Sequence, residues 1–318
     1  MGFSVEKSGL LTTIQDKGRT GYRNIGMPVS GPMDSTAFRL ANLIVGNRET
    51  EAALEVTMQG PVLHFTSNTE LALCGADLNP SINNERVYNN KPLLIKKGDV
   101  LRFGLAEKGM RVYIAFKGGI KIEKQLGSSS TYLPAGIGGY KGRALKAGDK
   151  IDLNSQGHSD RKISWSASPS FFTYFQKREV RILKSKQWNW FTKEAQSSFL
   201  SRDFTIQSES DRMGYRLNGP TLMTKEKREL STEGIVKGSI QVPANGLPII
   251  LMADSQPTGG YPKIANVITA DLPVIAQLKP LEKIRFKEVT IQEAYQALVD
   301  KEEDFKLIKS GIRLKNRE

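Results

Sequence analysis

Thr13–Arg23 reads TIQDKGRTGYR and Thr205–Arg216 reads TIQSESDRMGYR. Both segments carry TIQ, then an arginine, one variable residue and GYR, with spacers that differ by one residue. Similarity of this kind within one chain marks a duplication. Gly219-Pro220-Thr221-Leu222 follows the second copy closely, whereas the first copy reaches its counterpart, Gly60-Pro61-Val62-Leu63, only after an insertion. A further echo joins KKGDVLRF at 96–103, KAGDKIDL at 146–153 and KPLEKIRF at 279–286. Each has a polar turn followed by alternating residues, the pattern of a turn entering a strand.

Most of the surrounding chain reads as short strands. ALEVTM, ELALCG, DVLRFG and RVYIAF are separated by turn residues at close intervals, which favours barrels or sandwiches over a βαβ sheet. Pro248–Met252 and Ile264–Ile268 are apolar runs that read as buried strands. The insertion in the first half predicts a helix: Asp34 is a good N-cap, Ala37, Leu40, Ala41 and Ile44 have helical spacing, and Gly46-Asn47 ends it. A second helix is predicted at Ile291–Leu298, where Thr290 and Glu293 have capping-box spacing. The QWNWF cluster at 187–191 begins a segment through Phe199 that suits a short helix, with Trp188 and Trp190 as core anchors. Ser155–Asp160 is polar and Ser164–Ser170 is rich in small residues, so a domain boundary is expected within 155–178; we draw it between residues 160 and 161.

Composition narrows the function. The 318 residues are 39% hydrophobic, with 29 glycines and 14 prolines, which describes a turn-rich globular protein with one or two cores. No stretch approaches the roughly 20 apolar residues of a membrane span, and the N-terminus lacks the apolar core of a signal peptide. A cytoplasmic protein with no membrane partner is therefore expected. The single cysteine, Cys74, reads as a small buried hydrophobe. His64 and His158 stand far apart without metal-ligand spacing, so no structural metal is expected. The 46 basic and 33 acidic residues give a net charge of +13, but they are interspersed, with no basic, aromatic-interleaved strand, so nucleic acid is not expected. The charge favours anionic small molecules or an acidic partner.

Three stretches carry candidate chemistry. Between the two apolar runs lies a loop of Asp254, Ser255, Gln256, Pro257, Thr258, Gly259, Gly260 and Tyr261; rigid strands present such loops, and paired glycines permit close backbone approach to a ligand. Gln15, Asp16 and Arg19 surround a turn in the first repeat, and Asp211, Arg212 and Tyr215 do so in the second, so each domain is expected to carry a similar pocket. Gly127-Ser128-Ser129-Ser130-Thr131, followed by Gly136, Gly138 and Gly139, offers amides and hydroxyls suited to a phosphate or carboxylate, without the lysine of a P-loop. For every one of these residues the alternative is an internal hydrogen bond or salt bridge that holds a loop.

QDKGRTGYRNIGMPVSGPMDSTAFRLANLIVGN at 15–47, LEVTMQGP at 54–61, GYRLNGP at 214–220, GSIQVPANGLPIILMAD at 238–254 and QPTGGYPKIANVI at 256–268 resemble, in order, the KipA family. This family is also called allophanate hydrolase subunit 2 or biotin-dependent carboxyltransferase-like, and it includes the bacterial 5-oxoprolinase subunit PxpC. The resemblance implies a mainly β protein of two tandem cyclophilin-like β-barrel domains, 1–160 and 161–318, with a few short helices. It also implies partners: a KipI-like subunit of the PxpB type and a LamB/YcsF-like subunit of the PxpA type. With ATP, and Mg2+ accompanying it, such a complex opens 5-oxo-L-proline to L-glutamate. The expected substrate is a small amide or lactam, whose poor electrophilicity is overcome by phosphorylating its carbonyl oxygen. That step needs positioning and charge stabilisation more than a protein nucleophile.

By motif position, the resemblance makes Gln241, Gln256, Tyr261, Lys263 and Gln277 the expected catalytic set. It assigns Gln15, Asp16, Arg19, Arg212, Tyr215, Ser128, Gly259 and Gly260 to substrate or phosphate binding. Asp34 reads as an N-cap. This chain has Ser129 and Ser255 where the family commonly has basic residues, so two cations suited to binding an anion are missing. Two other roles are implied by the same resemblance: the carboxyltransferase component of a urea carboxylase-like system, without biotin attached to this chain, and a regulator that binds a KipI-like kinase inhibitor.

Overall fold

The computed structural model describes residues 2–154, 165–226 and 230–315. Contacts divide the chain into unit 1, Met1–Arg19, Ser30–Phe175 and Phe305–Glu318, and unit 2, Thr20–Val29 and Gln176–Asp304. The expected cut between residues 160 and 161, the polar stretch around it and His158 lie outside the described residues.

Unit 1 contains two sheets. The six-stranded sheet runs Lys150–Asp152, Gly2–Lys7, Val62–Phe65, Val100–Arg102, Ser81–Ile82, Glu85–Arg86; the five-stranded sheet runs Leu11–Gln15, Ala53–Thr57, Lys108–Phe116, Thr69–Asp77, Pro92–Ile95. Strand alternation sorts their side chains. Phe3, Val5, Leu63 and Phe65 meet Leu54, Val56, Leu71, Leu73, Ile114 and Phe116 in one core, where the rings of Phe3 and Phe116 stack at 5.1 Å. The other face of the five-stranded sheet presents the smaller Ala53, Ala72, Cys74 and Ala115, which let helix α1 (Ser35–Ile44) pack closely. Asp34 caps α1, its Oδ1 accepting from Thr36 N and Ala37 N at 2.9 and 3.0 Å.

Unit 2 is a closed barrel of seven strands, in the order Glu179–Lys184, Lys263–Val267, Ser239–Gln241, Ile249–Leu251, Gly214–Asn218, Phe204–Ile206, Lys283–Glu288. A parallel pairing of Glu179–Lys184 with Lys283–Glu288 closes it. KIRFKE shows how the sequence specifies this: Ile284 and Phe286 point inward while Lys283, Arg285 and Lys287 face out. Phe286 stacks on Phe199 at 4.5 Å, and Phe204 lies 5.7 Å from Phe286. The expected strands at Pro248–Met252 and Ile264–Ile268 are present, and Ser239–Gln241 lies between them in the barrel.

The three echoed turns have one geometry. Lys96 N donates to Asp99 Oδ2, Lys146 N to Asp149 Oδ2 and Lys279 N to Glu282 Oε2, each at 2.7 Å. The first TIQ ends a strand at Gln15 and the second strand stops at Ile206, one residue short of Gln207, while the GYR segments diverge: Tyr215 is buried in a barrel strand, whereas Arg23 opens a short 3-10 turn.

The helices differ from expectation in two places. The QWNWF segment is a 3-10 turn, Trp188–Trp190, followed by a separate helix α2 (Lys193–Ser201), because Thr192 Oγ1 accepts from Ala195 N and starts a new N-terminus. Trp188 is buried and Trp190 half-buried. After the short α3 (Leu272–Ala276), the final helix α4 spans Ile291–Lys315 rather than stopping at Leu298. Thr290 and Glu293 form the predicted capping box. The charged KEED run hid the continuation, yet Phe305, Ile308 and Ile312 keep helical spacing and join the unit 1 cluster around α1. Among the described residues no helix is long and apolar enough to cross a membrane.

Candidate functional site

In unit 1, Asp16 accepts from Gly18 N, Ser128 Oγ and Ser130 Oγ through Oδ1, at 2.9, 2.5 and 2.7 Å, and from Ser129 N through Oδ2 at 2.7 Å. Arg19 Nη2 donates to Ser130 O at 2.5 Å and Gln15 Nε2 to Thr131 O at 3.2 Å. These groups are buried. The glycine loop follows: a Cβ on Gly138, whose φ is +70°, would sit 2.6 Å from Arg19 Nη2 and collide with Ser130 O. Asp16, Arg19, Gln15 and Ser128 thus turn their hydrogen bonds inward and hold the GSSST segment.

The corresponding group in unit 2 has different partners. Asp211 caps its own turn through Met213 N and Gly214 N at 2.8 and 3.1 Å. Arg212 forms a buried fork with Asp254, Nε to Oδ2 at 2.8 Å and Nη2 to Oδ1 at 3.0 Å. Tyr215 is fully buried. These contacts fasten the strand start at Gly214 to the loop after Ile249–Leu251.

A second cluster in unit 2 gathers around a ribbon in which Glu233–Gly234 pairs with Thr258–Gly259. Lys263 Nζ donates to Glu233 Oε1 at 2.5 Å, and the buried Gln187 donates from Nε2 to the same oxygen at 2.9 Å. The hydrogen bond from Lys263 is the largest cause holding the Glu233 carboxyl below its ordinary range. Gln241 sits opposite Lys263 on the neighbouring strand. Its side chain is buried, its Nε2 finds no acceptor among the described residues, and a Cβ on Gly259 would lie 2.5 Å from that nitrogen. Arg23 secures the ribbon through Ile235 O and, at 3.4 Å, Pro257 O.

The structure therefore brings together Gln241, Lys263 and Gly259, with Gly260 next in the loop. Gln256 is exposed at the loop tip, and Tyr261, 51% exposed, lines a 270 Å³ cavity with Gln207, Arg216, Pro243 and Asn245. Gln277 is buried at the end of α3, its N–H on Val274 O at 3.2 Å. Ser255, where the family commonly has a cation, is buried too. Sequence reasoning missed Glu233, Gln187 and Arg23. Gln187 stood in a cluster read for its tryptophans, and Glu233 lies in no motif, since only the folded ribbon brings it to Lys263. Among the described residues no group of three or more His, Cys, Asp or Glu is arranged so that it could hold a metal ion.

Two β units, one a closed barrel, carrying a glycine-rich ribbon beside a lysine and carboxamides, define the class, and known relatives agree with it. The chain belongs to the family described as carboxyltransferase domain, subdomain A and B, matched over residues 25–288. It is 37% identical to the C component of the 5-oxoprolinase of Escherichia coli strain K12, over 94% of this chain and 95% of that protein. It is 39% identical to the protein of the same name from Haemophilus influenzae, over 89% of each chain. The urea amidolyase of Lachancea kluyveri is 33% identical over 92% of this chain, which spans only 17% of that longer protein. Among solved structures, the Kluyveromyces lactis urea carboxylase superposes with a TM-score of 0.89 at 30% identity, covering 98% of this chain and 29% of that one.

Proposed function

We propose that this chain is a subunit of an ATP-dependent 5-oxoprolinase, active in a complex with a KipI-like and a LamB/YcsF-like subunit, that converts 5-oxo-L-proline to L-glutamate. The observation that carries this reading is the collinear match to the C component of 5-oxoprolinase over 94% of this chain and 95% of the relative. The chemistry of the ribbon is compatible with it. A lactam acid presents a carboxylate and a carbonyl oxygen; Lys263 is a cation and Gln241 an amide donor held on adjacent rigid strands. Donors fixed before the reaction stabilise developing charge without reorganising. In this reading Lys263, Gln241 and the Gly259-Gly260 backbone orient the lactam. Gln256 and Tyr261 close over it from the exposed loop, and Gln277 supports the site from α3. The buried Asp16, Arg19, Gln15 and Ser128 network, and the Arg212–Asp254 fork beside Tyr215, fix the loops of their own units. ATP, with Mg2+, supplies the phosphoryl group that activates the carbonyl oxygen; we assign no residue of this chain to the metal.

The test is ATP hydrolysis by the chain co-purified with its KipI-like partner, with and without 5-oxoproline, and glutamate release once the third subunit is added. Turnover is expected to depend on 5-oxoproline and to fall by about 100-fold in Lys263→Met while the complex still forms, the scale lost with one charge-stabilising group. An intact complex without 5-oxoproline-dependent turnover would overturn the reading. The family and the likeness to urea carboxylase favour a second reading, transfer of a carboxyl group to an amide; it requires turnover that depends on a biotinylated carrier protein.

A further inference from the structure

We propose that Glu233 is a built-in stand-in for a ligand carboxylate: it occupies an anion site made by Lys263 and Gln187, and a small carboxylic acid binds by displacing it. The proposal rests on the reading that the ribbon cluster of unit 2 binds substrate.

Rigid and movable parts are cleanly divided. Lys263 belongs to a barrel strand and its side chain is only 13% exposed. Gln187 is buried, its backbone N–H donates to Ser185 Oγ at 3.2 Å, and its Nε2 faces the Glu233 carboxylate at 2.9 Å. Ser185 in turn bonds to the carbonyl of Lys263. Both donors are therefore anchored. Glu233 is anchored far less: its side chain is 34% exposed and it stands on a two-residue strand whose only sheet partner among the described residues is Thr258–Gly259. Two fixed donors converging on one carboxylate oxygen is the geometry of a carboxylate-binding site.

Gln241 supplies the remaining feature. A buried amide donor without an acceptor is unfavourable, and Gln241, whose Nε2 has none among the described residues, is the cross-strand partner of Lys263 at a register shift in the pairing. Gly259 packs directly over Nε2, where a Cβ would lie 2.5 Å from it, so the ribbon itself covers this donor. A ligand whose carboxylate replaces that of Glu233 on Lys263 and Gln187 would bring a second oxygen to Gln241. The ligand class is thus a small acid that also carries a carbonyl acceptor. Displacement costs the Lys263–Glu233 pair and returns an equivalent one, so the ribbon acts as a gate that opens only for an anion.

The experiment is calorimetric titration of the full-length protein and of Glu233→Gln with 5-oxoproline and with 2-pyrrolidinone, the same lactam lacking the carboxylate. Loss of the competing charge should tighten 5-oxoproline by roughly fivefold, the value of one partly exposed ion pair, and leave 2-pyrrolidinone unchanged. Gln241→Leu should weaken both. Weaker or unaltered 5-oxoproline binding in Glu233→Gln, with the fold confirmed by circular dichroism, overturns the gate; Glu233→Ala repeats the test without an amide that could re-form the contact. Acetate against acetamide separates this from the catalytic reading. If the complex proves inactive on 5-oxoproline, Glu233→Gln must still favour acetate over acetamide, and equal responses would sink the gate whatever the activity.

Discussion

Single residues here are constrained by what lies within a few ångströms of them. Gly138 is the clearest case, because the loop carries it at φ +70° with no room for a side chain beside Arg19 and Ser130. Gly138→Ala combines a left-handed backbone with a collision, so it should cost about 2–4 kcal/mol, measurable as a lower urea midpoint. A loss under about 1 kcal/mol would mean the loop can rearrange, and that Arg19 is not fixed by it. The same constraint separates kinds of site residue. Asp16 accepts four hydrogen bonds from its own chain, whereas Gln241 keeps a buried donor without a partner among the described residues. Both stand in family motifs, and the motif alone did not tell the staple from the candidate ligand contact. Their partners are distant in sequence, so only folding reveals which polar atoms are already used.

Among the elements, α4 shows how start signals and burial divide the work. The capping box sets where the helix begins, and Thr290→Ala should cost about 1 kcal/mol. Its continuation depends on packing: Phe305 is buried against the cluster around α1, with the Arg39 guanidinium 3.8 Å from its ring centre. Phe305→Ala should therefore cost about 3–5 kcal/mol by denaturant unfolding. A cost below that of the cap substitution would show that the last turns add nothing to unit 1. The start was legible because it is local. The length was not, since Asp300, Lys301, Glu302, Glu303 and Asp304 follow Leu298 and the apolar face resumes only at Phe305, where tertiary contact rewards it.

For the whole molecule, buried and paired titrating groups bound the pH range of stability. Hydrogen bonds from Arg143 to Asp149 and from Lys263 to Glu233 hold these carboxyls below their ordinary range. The guanidinium of Arg143, at 2.7 and 2.8 Å from the Asp149 carboxylate, is the largest cause at that site. A carboxyl that titrates lower in the folded state adds stability above its unfolded value of about 4, and this is lost as pH falls through the folded value. At the alkaline end, burial pushes the Tyr113 and Tyr174 phenols and the Cys74 thiol well up. Those groups add stability below their unfolded values, about 10 for tyrosine and about 8.5 for cysteine, and it is lost as pH rises towards the folded ones. The urea midpoint should accordingly be flat between about pH 5 and 8 and fall on both sides. Asp149→Asn should cost about 1 kcal/mol at neutral pH, a difference that shrinks as pH falls below about 4. A parent midpoint unchanged down to about pH 3 would show that these carboxyls contribute nothing to folding.

By itself the sequence determined the mainly β character, the three Lys-to-acid turns, the cap of α1 and the family, because each rests on residues close together in the chain. Strand alternation and turn chemistry are local, and they survive in any correct fold. Tertiary structure alone decided that unit 2 closes through a parallel pair of strands, that GYR enters a strand in one repeat and a 3-10 turn in the other, and that Glu233 reaches Lys263 and Gln187. The physical reason is the same for all three. Which donors and acceptors meet across a barrel depends on register and closure, and those are fixed by the packing of the whole core rather than by any short run of residues.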